Sequence, residues 1–531
     1  MNRTANARRG ICTLLALLLI LTSLPGLALE KGEFPLTTEP VTLKIWGGEI
    51  VNLDQDNCVA NIEYQKMTGV TIEWDLFSSS MNFNEAFNIM IVSNDLPDII
   101  SGTHTPERIM MCVEGNIPVR LNEYIESGSY YLDALTEQPQ YWDMVTATDG
   151  GVYTLIYTDS GVHKDSEYKM YVYTEWLEKL NLANPTTPEE FKEMLIALST
   201  NDLNENGKND ELPMVGYYNG RQTNPLNFLM NPFELYRDNY YYISDGGEIV
   251  FVANTDGWRE GLKYICDLYA SGLIMEETYV QDQTQFQSLL NRPKGETIMG
   301  VFPAWYQGAF IDINILDWTD YQAIPPLMGP TGLQQTAARK GGNFNLSNII
   351  TTACENPEIA FRFLDWFLSH DGNRFTQFGA EGITYELVDA PAFNGATPSI
   401  SMKFFETPQV WNSGTMPRYD TAAVRYSTTA NPEKRNVENT YVLFSAAEIY
   451  EPYYVWHNVP DVVWCADQDL LTQRNDYLTV FNEYIGSCST AFVMGTMDIN
   501  DDAQWESYKG ALESMGLADY LATLAAYHGI S

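Results

Sequence analysis

A two-lobed, doubly wound α/β architecture is the fold class this sequence predicts. Three observations carry it. The chain has 531 residues, more than one hydrophobic core normally serves. A strand, helix, strand, helix, strand order lies near its start, and residues 324–332 (IPPLMGPTG) are proline and glycine punctuation of the kind that serves a crossover between lobes. Hydrophobic residues at 45% and aromatics at 13% make it a folded chain rather than a disordered one.

The elements follow in order. Residues 1–28 place Arg3, Arg8 and Arg9 before an apolar run that ends in the small residues Gly26 and Ala28, which is the order of a secretory signal peptide cleaved after Ala28. An uncleaved amino-terminal membrane anchor is the alternative reading. Cys12 opens the apolar run instead of following a small-residue motif at its end, so no standard lipobox cysteine is found. Residues 41–46 (VTLKIW) and 70–74 (VTIEW) read as strands, 57–67 as the helix between them, and 95–100 (DLPDII) as a further strand.

The strongest local signal is the helix that starts in TTPEEFKEMLIALS. Thr187 to Glu190 reads as a capping box with Pro188 at the first helical position, and Phe191, Met194, Leu195 and Leu198 repeat on one face. Residues 240–251 (YYYISDGGEIVF) read as a hairpin turning at Asp245-Gly246-Gly247, with at least one of Tyr240, Tyr241 and Tyr242 exposed. A helix is predicted around 258–269 and a buried strand over 298–302 (IMGVF). NPEIAFRFLDWFLSHDG reads as one helix with Pro357 at its start, Trp366 on its apolar face and Gly372 just beyond its end. The carboxy terminus reads as helical.

The formal net charge is −40, and −43 once the three leader arginines are removed. Such a surface repels nucleic acid and anionic headgroups, which makes both poor candidate partners. No later segment has the apolar length of a membrane span, so the mature protein is expected outside the cytoplasmic membrane, with no direct membrane insertion, as a monomer. Cys58, Cys112, Cys266, Cys354, Cys465 and Cys488 remain after cleavage. Their wide spacing gives no disulfide framework, and no Cys-x-x-Cys unit suggests a thiolate zinc site.

Several stretches together resemble the extracellular solute-binding proteins of ABC importers, in the sugar-binding family 1 that includes maltose- and alginate-binding proteins. They are LKIW, NDLPDII, EWLEKLNLANPTTPEEF, LYASGLI, VFPAWYQG, IPPLMGPTG, GGNFNLSN, NPEIAFRFLDWFLS and FGAEGITYEL, in the family's order across most of the mature chain. The tail looks like that of the larger, oligosaccharide-type members, but it lacks the Asp-Arg that often follows its tyrosine. The resemblance implies a two-lobed periplasmic-binding-protein type II fold with hinge crossovers between lobes. Lobe 1 would take 40–160 and 333–372, and lobe 2 would take 166–322 and 373–531.

It further implies a saccharide ligand, an ABC transporter permease as partner and a cell-surface-associated location. A sugar presents hydroxyls around apolar C–H faces, so its site combines aromatic platforms with polar side chains. Trp46 and Glu49 sit past the first strand, at the carboxyl end where open α/β sheets bind ligands, and Trp305 and Tyr306 hold the equivalent place in the other lobe. The resemblance brings Asn343, Asn345, Glu381 and Tyr385 near the cleft, and the cluster over 453–464 (YYVWHNVPDVVW) is a further candidate.

DLNENGKNDELP, residues 202–213, follows the capped helix. Asp202, Asn204 and Asn206 alternate their side-chain oxygens, Gly207 permits a tight turn, Lys208 can offer its carbonyl and Asp210 adds a carboxylate. An EF-hand needs a bidentate Glu at the twelfth position, where Pro213 stands; by resemblance, Glu211 closes the shell around a structural calcium. A polar turn without metal is the alternative. No Gly-x-Ser-x-Gly, His-Glu-x-x-His or phosphate loop is present, and the five histidines form no triad. Capture of an oligosaccharide for import, without catalysis, is therefore the expected function. A secreted carbohydrate-active hydrolase and a peptide or signalling-ligand receptor are the alternatives.

Overall fold

The computed structural model describes residues 29–49, 54–93, 95–220, 222–339, 343–403, 416–420, 422–429 and 439–530. The expected signal peptide, residues 1–28, with Cys12, lies outside them. Two hydrophobic cores form. One gathers side chains from 36–156 and 344–368 together with Met416 and Tyr419. The other gathers 170–327 and 442–524. A small third cluster holds Phe378, Tyr385, Ile400, Met402 and Val424. Residues after 372 therefore do not all join the second core, as the expected boundaries had them.

In the first core the strand Val41–Gly48 runs parallel to Val70–Phe77 on one side and to Ile99–Ile100 on the other, and Ile349–Ile350 closes the edge antiparallel. The helix Val59–Thr68 connects the first two strands and ends at Gly69, whose φ of 74° is the left-handed cap that glycine favours. The second core is built on the order Tyr321–Ile324, Lys169–Tyr173, Met299–Ala304, Leu212–Met214, with only the last pair parallel. The doubly wound expectation thus describes the first sheet, while the second is mixed.

Three chain segments that pass between the cores meet in one small sheet. Ile156–Asp159 lies at its centre, with Asn343–Leu346 antiparallel on one side and Arg418–Asp420 parallel on the other. The punctuated segment 324–332 is not itself the passage. Leu327 stays in the second core and Met328 N donates to Thr186 O at 2.7 Å. The chain reaches the first core only after the strand Thr336–Ala338. A further passage falls in the aromatic tract, where Val459 packs on the second core while Val462 and Trp464 pack on the first, Trp464 Nε1 donating to Met144 O at 2.9 Å.

Local readings also sharpen. Thr187 Oγ1 accepts from Glu190 N at 3.2 Å, but the Glu190 carboxylate reaches back to Thr186, accepting from its N at 2.8 Å and its hydroxyl at 2.7 Å. The cap is therefore displaced by one residue from a reciprocal box. The run beginning at Pro357 is not one helix. It is α-helical over Pro357–Asp365, tightens to a 3-10 turn at Trp366–Leu368 and restarts as His370–Phe378, with Ser369 Oγ accepting from Gly372 N at 2.9 Å. Gly372 lies inside the second piece, where an added Cβ would collide with Trp366 O. Tyr241 is buried and Tyr240 and Tyr242 are half-buried, so none of the three is fully exposed; Tyr240 stacks on Tyr236 at 5.7 Å. All six described cysteines are free thiols, and among the described residues no helix is long and apolar enough to cross a membrane.

Candidate functional site

Asp159 ends the central strand of the linking sheet and is buried. Three cations converge on it: Lys164 Nζ at 2.9 Å, Arg425 Nη2 at 3.1 Å and Arg418 Nη2 at 3.8 Å. Burial opposes its ionisation, but Arg425, Arg418 and Lys164 outweigh that penalty and hold the carboxyl well below its usual range. Arg418 stands opposite Tyr157 in the strand register and donates to its hydroxyl at 3.2 Å. Lys164 is reached through Gly161, whose φ of 138° is a conformation that side chains rarely adopt and whose missing Cβ would press on His163 Cε1 at 2.9 Å.

Trp305 completes the cluster from the second core. It follows the buried strand Met299–Ala304, is half-buried, and has the Lys164 ammonium 4.2 Å from its ring centroid. Tyr306 packs on it at 4.2 Å and backs onto Trp318 at 6.2 Å, and burial pushes the Tyr306 phenol up to about 12. Lys169 fixes this corner from behind. Its buried ammonium donates to His163 O at 3.2 Å, to Ser166 O and to Trp305 O at 3.3 Å, while burial pulls its pKa down to about 7. The arrangement sets a half-buried indole, with an ammonium over its ring, beside a fixed set of charged donors and a carboxylate; such groups can hold a hydroxyl-rich ring, and the cluster just described has no second carboxylate.

The expected site residues separate into groups. Trp305 and Tyr306 are in contact with each other and lie in the cluster. Asn343 stands opposite Asp159 in the strand register, and its Nδ2 donates to Glu167 Oε1 at 3.3 Å. Trp46 does not present an open face. It is 5% exposed, packed among Phe77 at 4.9 Å, Phe83 at 5.7 Å and Phe87 at 6.3 Å, because the strand that carries it is covered by the helix Phe83–Ser93. Glu49 is exposed beside it and its Oε2 accepts from Ser79 N at 3.3 Å. Tyr385 is likewise a buried member of the third cluster and not a platform, while Glu381 is exposed on the turn before it. Sequence reading missed Asp159, Lys164, Arg418 and Arg425. The one local signal, and for Asp159 and Lys164 alone, was YTDSGVHKD, a strand ending in acid, glycine and base.

The acidic loop folds around its own side chains. Asp202 Oδ1 accepts from Asn206 N at 3.0 Å and its Oδ2 from Gly207 N at 2.9 Å, Asn204 Oδ1 accepts from Asn206 N at 3.1 Å, and Asn206 Oδ1 accepts from Lys208 N at 2.8 Å. Asp210 Oδ1 accepts from Asn206 Nδ2 at 2.9 Å, which leads the causes that lower its pKa. Gly207, at φ 79°, supplies the left-handed turn. Glu211 is buried and turned into the loop, with Oε1 accepting from Leu203 N at 2.7 Å and Asn204 N at 3.2 Å, and with Oε2 buried and unpartnered. Among the described residues no three of His, Cys, Asp or Glu form a metal cluster.

Comparison with known proteins gives these features a context. Residues 54–374 match the family described as bacterial extracellular solute-binding protein. The fructooligosaccharide ABC transporter substrate-binding protein FusA of Streptococcus pneumoniae is 26% identical over 533 aligned positions, covering 95% of this chain and 93% of that protein. The solved structure of FusA in complex with kestose superposes with a TM-score of 0.73 at 24% identity, covering 92% of this chain and 99% of that one, and an EF-hand mutant of FusA with fructo-nystose gives 0.74 at 23%, with the same coverage. The alginate-binding protein AlgQ2 without calcium ion gives 0.68 at 21%, covering 93% and 99%.

Proposed function

Because this chain belongs to the bacterial extracellular solute-binding protein family, we propose that it captures an oligosaccharide between its two lobes and hands it to an ABC importer. The observation that carries the reading is the pairing of Trp305 with the Asp159, Lys164, Arg418 and Arg425 cluster at the linking sheet. The ring would take the apolar face of a sugar, and the charged groups its hydroxyls. The linking strands come from segments that pass between the two cores, so a ligand gripped there bears directly on how the lobes close. The likeness to FusA over nearly the whole chain makes kestose and nystose the first ligands to try.

The work is binding and not bond breaking. A glycosidase needs a carboxylic acid that keeps its proton until the leaving group takes it. Asp159 is the opposite, a carboxylate held ionised by three cations. The discriminating experiment incubates the purified protein with fructooligosaccharides while binding is followed by calorimetry and the sugars by chromatography. Binding of about one ligand per chain, with the sugar recovered intact, supports the receptor; release of shorter sugars sinks it in favour of the hydrolase.

Calcium belongs to the same reading. Asp202, Asn204, Asn206, Asp210, Glu211 and the Lys208 carbonyl would hold it, and the unpartnered Glu211 Oε2 is the group whose burial the ion would satisfy. Its contribution would be to tie the loop to the helix Pro188–Ser199, away from the ligand. Export outside the cytoplasmic membrane and delivery to a permease complete the proposal, with FusA and its importer as the analogy.

A further inference from the structure

A second polar cavity, sharing no residue with the Trp305 cluster, lies where the carboxy-terminal helices meet the segments that pass between the cores. It has a volume of about 190 Å³, room for about six waters. Arg237, Arg339 and Arg474 all face it, in a chain with 30 basic residues against 70 acidic ones. Two of these guanidinium groups have carboxylate partners on the cavity's walls or behind them: Arg237 meets Glu167 at 3.5 Å, and Arg339 pairs with Asp461.

Arg474 differs. Among the described residues it has no carboxylate partner. Its Nη1 donates to the Asn475 amide oxygen at 2.9 Å and its Cζ lies 4.7 Å from the Tyr527 ring centroid; its Nε is buried and unpartnered, as is that of Arg339, so the missing carboxylate is what sets it apart. Beside it His528 shows the same shortfall, with Nε2 3.2 Å from the Tyr241 hydroxyl and Nδ1 buried without a partner. A guanidinium without a carboxylate partner and a ring nitrogen without a hydrogen-bond partner, on two residues that line one small cavity, leave polar groups unsatisfied there, and a planar fork of N–H donors is matched by an oxyanion.

We propose that this cavity binds a small oxyanion, of the phosphate, sulfate or simple carboxylate class, held by the Arg474 guanidinium and the His528 imidazole. The anion braces the helices Gln468–Val493 and Leu517–Tyr527 against Arg339, which directly follows the strand Thr336–Ala338, and so stiffens the region that the lobes turn about. The inference stands on its own geometry and does not depend on the saccharide reading.

The test is a titration of the full mature chain with inorganic phosphate, and separately with sulfate and acetate, followed by thermal unfolding and calorimetry at ionic strength matched with sodium chloride. The expected result is a saturable rise in Tm with at least one oxyanion and none with chloride. Arg474→Gln is expected to weaken that response about tenfold or more, and Arg474→Lys, which keeps the charge but loses the fork, to weaken it less. Oligosaccharide affinity without added anion should stay unchanged in both. A melt that follows ionic strength alone, or a saturable shift that persists undiminished in Arg474→Gln and in His528→Ala, overturns the proposal. Should Arg474→Gln not fold, the Arg474→Lys and His528→Ala titrations decide it by the same criterion.

Discussion

Trp305 is the residue on which binding should depend most. Its half-buried ring stands in the charged cluster, and truncating an aromatic anchor costs about 2 kcal/mol, roughly thirtyfold in affinity. Trp305→Ala should show that loss by calorimetry with little change in melting temperature, while Trp46→Ala should do the reverse, because Trp46 is core. Asp159 makes a second prediction. Removing its charge strands three cations in a buried site, so Asp159→Asn should cost about 3–5 kcal/mol in urea unfolding. The folded carboxyl titrates below the unfolded one, so its contribution is complete above about pH 4 and is lost as pH falls through the lower folded value. Between pH 5 and pH 3 the wild type should therefore lose more stability than Asp159→Asn; equal losses would place the stabilising charge elsewhere. Trp305 and Tyr306 were legible in the sequence because they follow a strand of continuous apolar residues. Asp159 and its partners were not, since Arg425 lies 266 residues away and a single acid among 70 carries no local pattern.

At the scale of elements, the break near Ser369 shows what periodicity hides. The apolar repeat continues smoothly through Trp366, so the pattern alone extends the helix, whereas the tight approach of Gly372 to Trp366 O is a tertiary contact with no signature in spacing. Gly372→Ala should destabilise the chain by about 1–3 kcal/mol in urea, through overpacking; a neutral result would show that the turn relaxes at no cost. The strands Val41–Gly48 and Met299–Ala304 and the helix Pro188–Ser199 were readable because each carries its own alternation, apolar run or cap. The loop after that helix predicts its own behaviour. If calcium satisfies Glu211 Oε2, calcium at a hundred times its Kd adds about 2.7 kcal/mol, and a chelator should lower Tm accordingly. Glu211→Gln should remove most of the difference between calcium and chelator, and an equal response in the variant would mean that the metal binds elsewhere.

Over the whole molecule, two cores are joined by three strands in one sheet and by the tract that runs from Val459 to Trp464. Length and strand order made the two-lobed α/β class legible, but not where the chain passes between lobes. The punctuation at 324–332 marked the neighbourhood, while the passage itself uses short, ordinary strands whose pairing is set across more than a hundred residues. Around that sheet Arg418, Arg425 and Lys164 gather on Asp159, and Lys164 reaches Trp305, so the residues proposed to grip a ligand lie on or beside segments that join the two cores. The most direct test of this account is calorimetric titration of the mature chain with a panel of neutral and acidic oligosaccharides, kestose and nystose first, with the ligand recovered and sized afterwards. The account predicts that at least one oligosaccharide binds one per chain, is recovered intact and is lost in Trp305→Ala; a panel with no binder, or a bound sugar recovered in pieces, would contradict it.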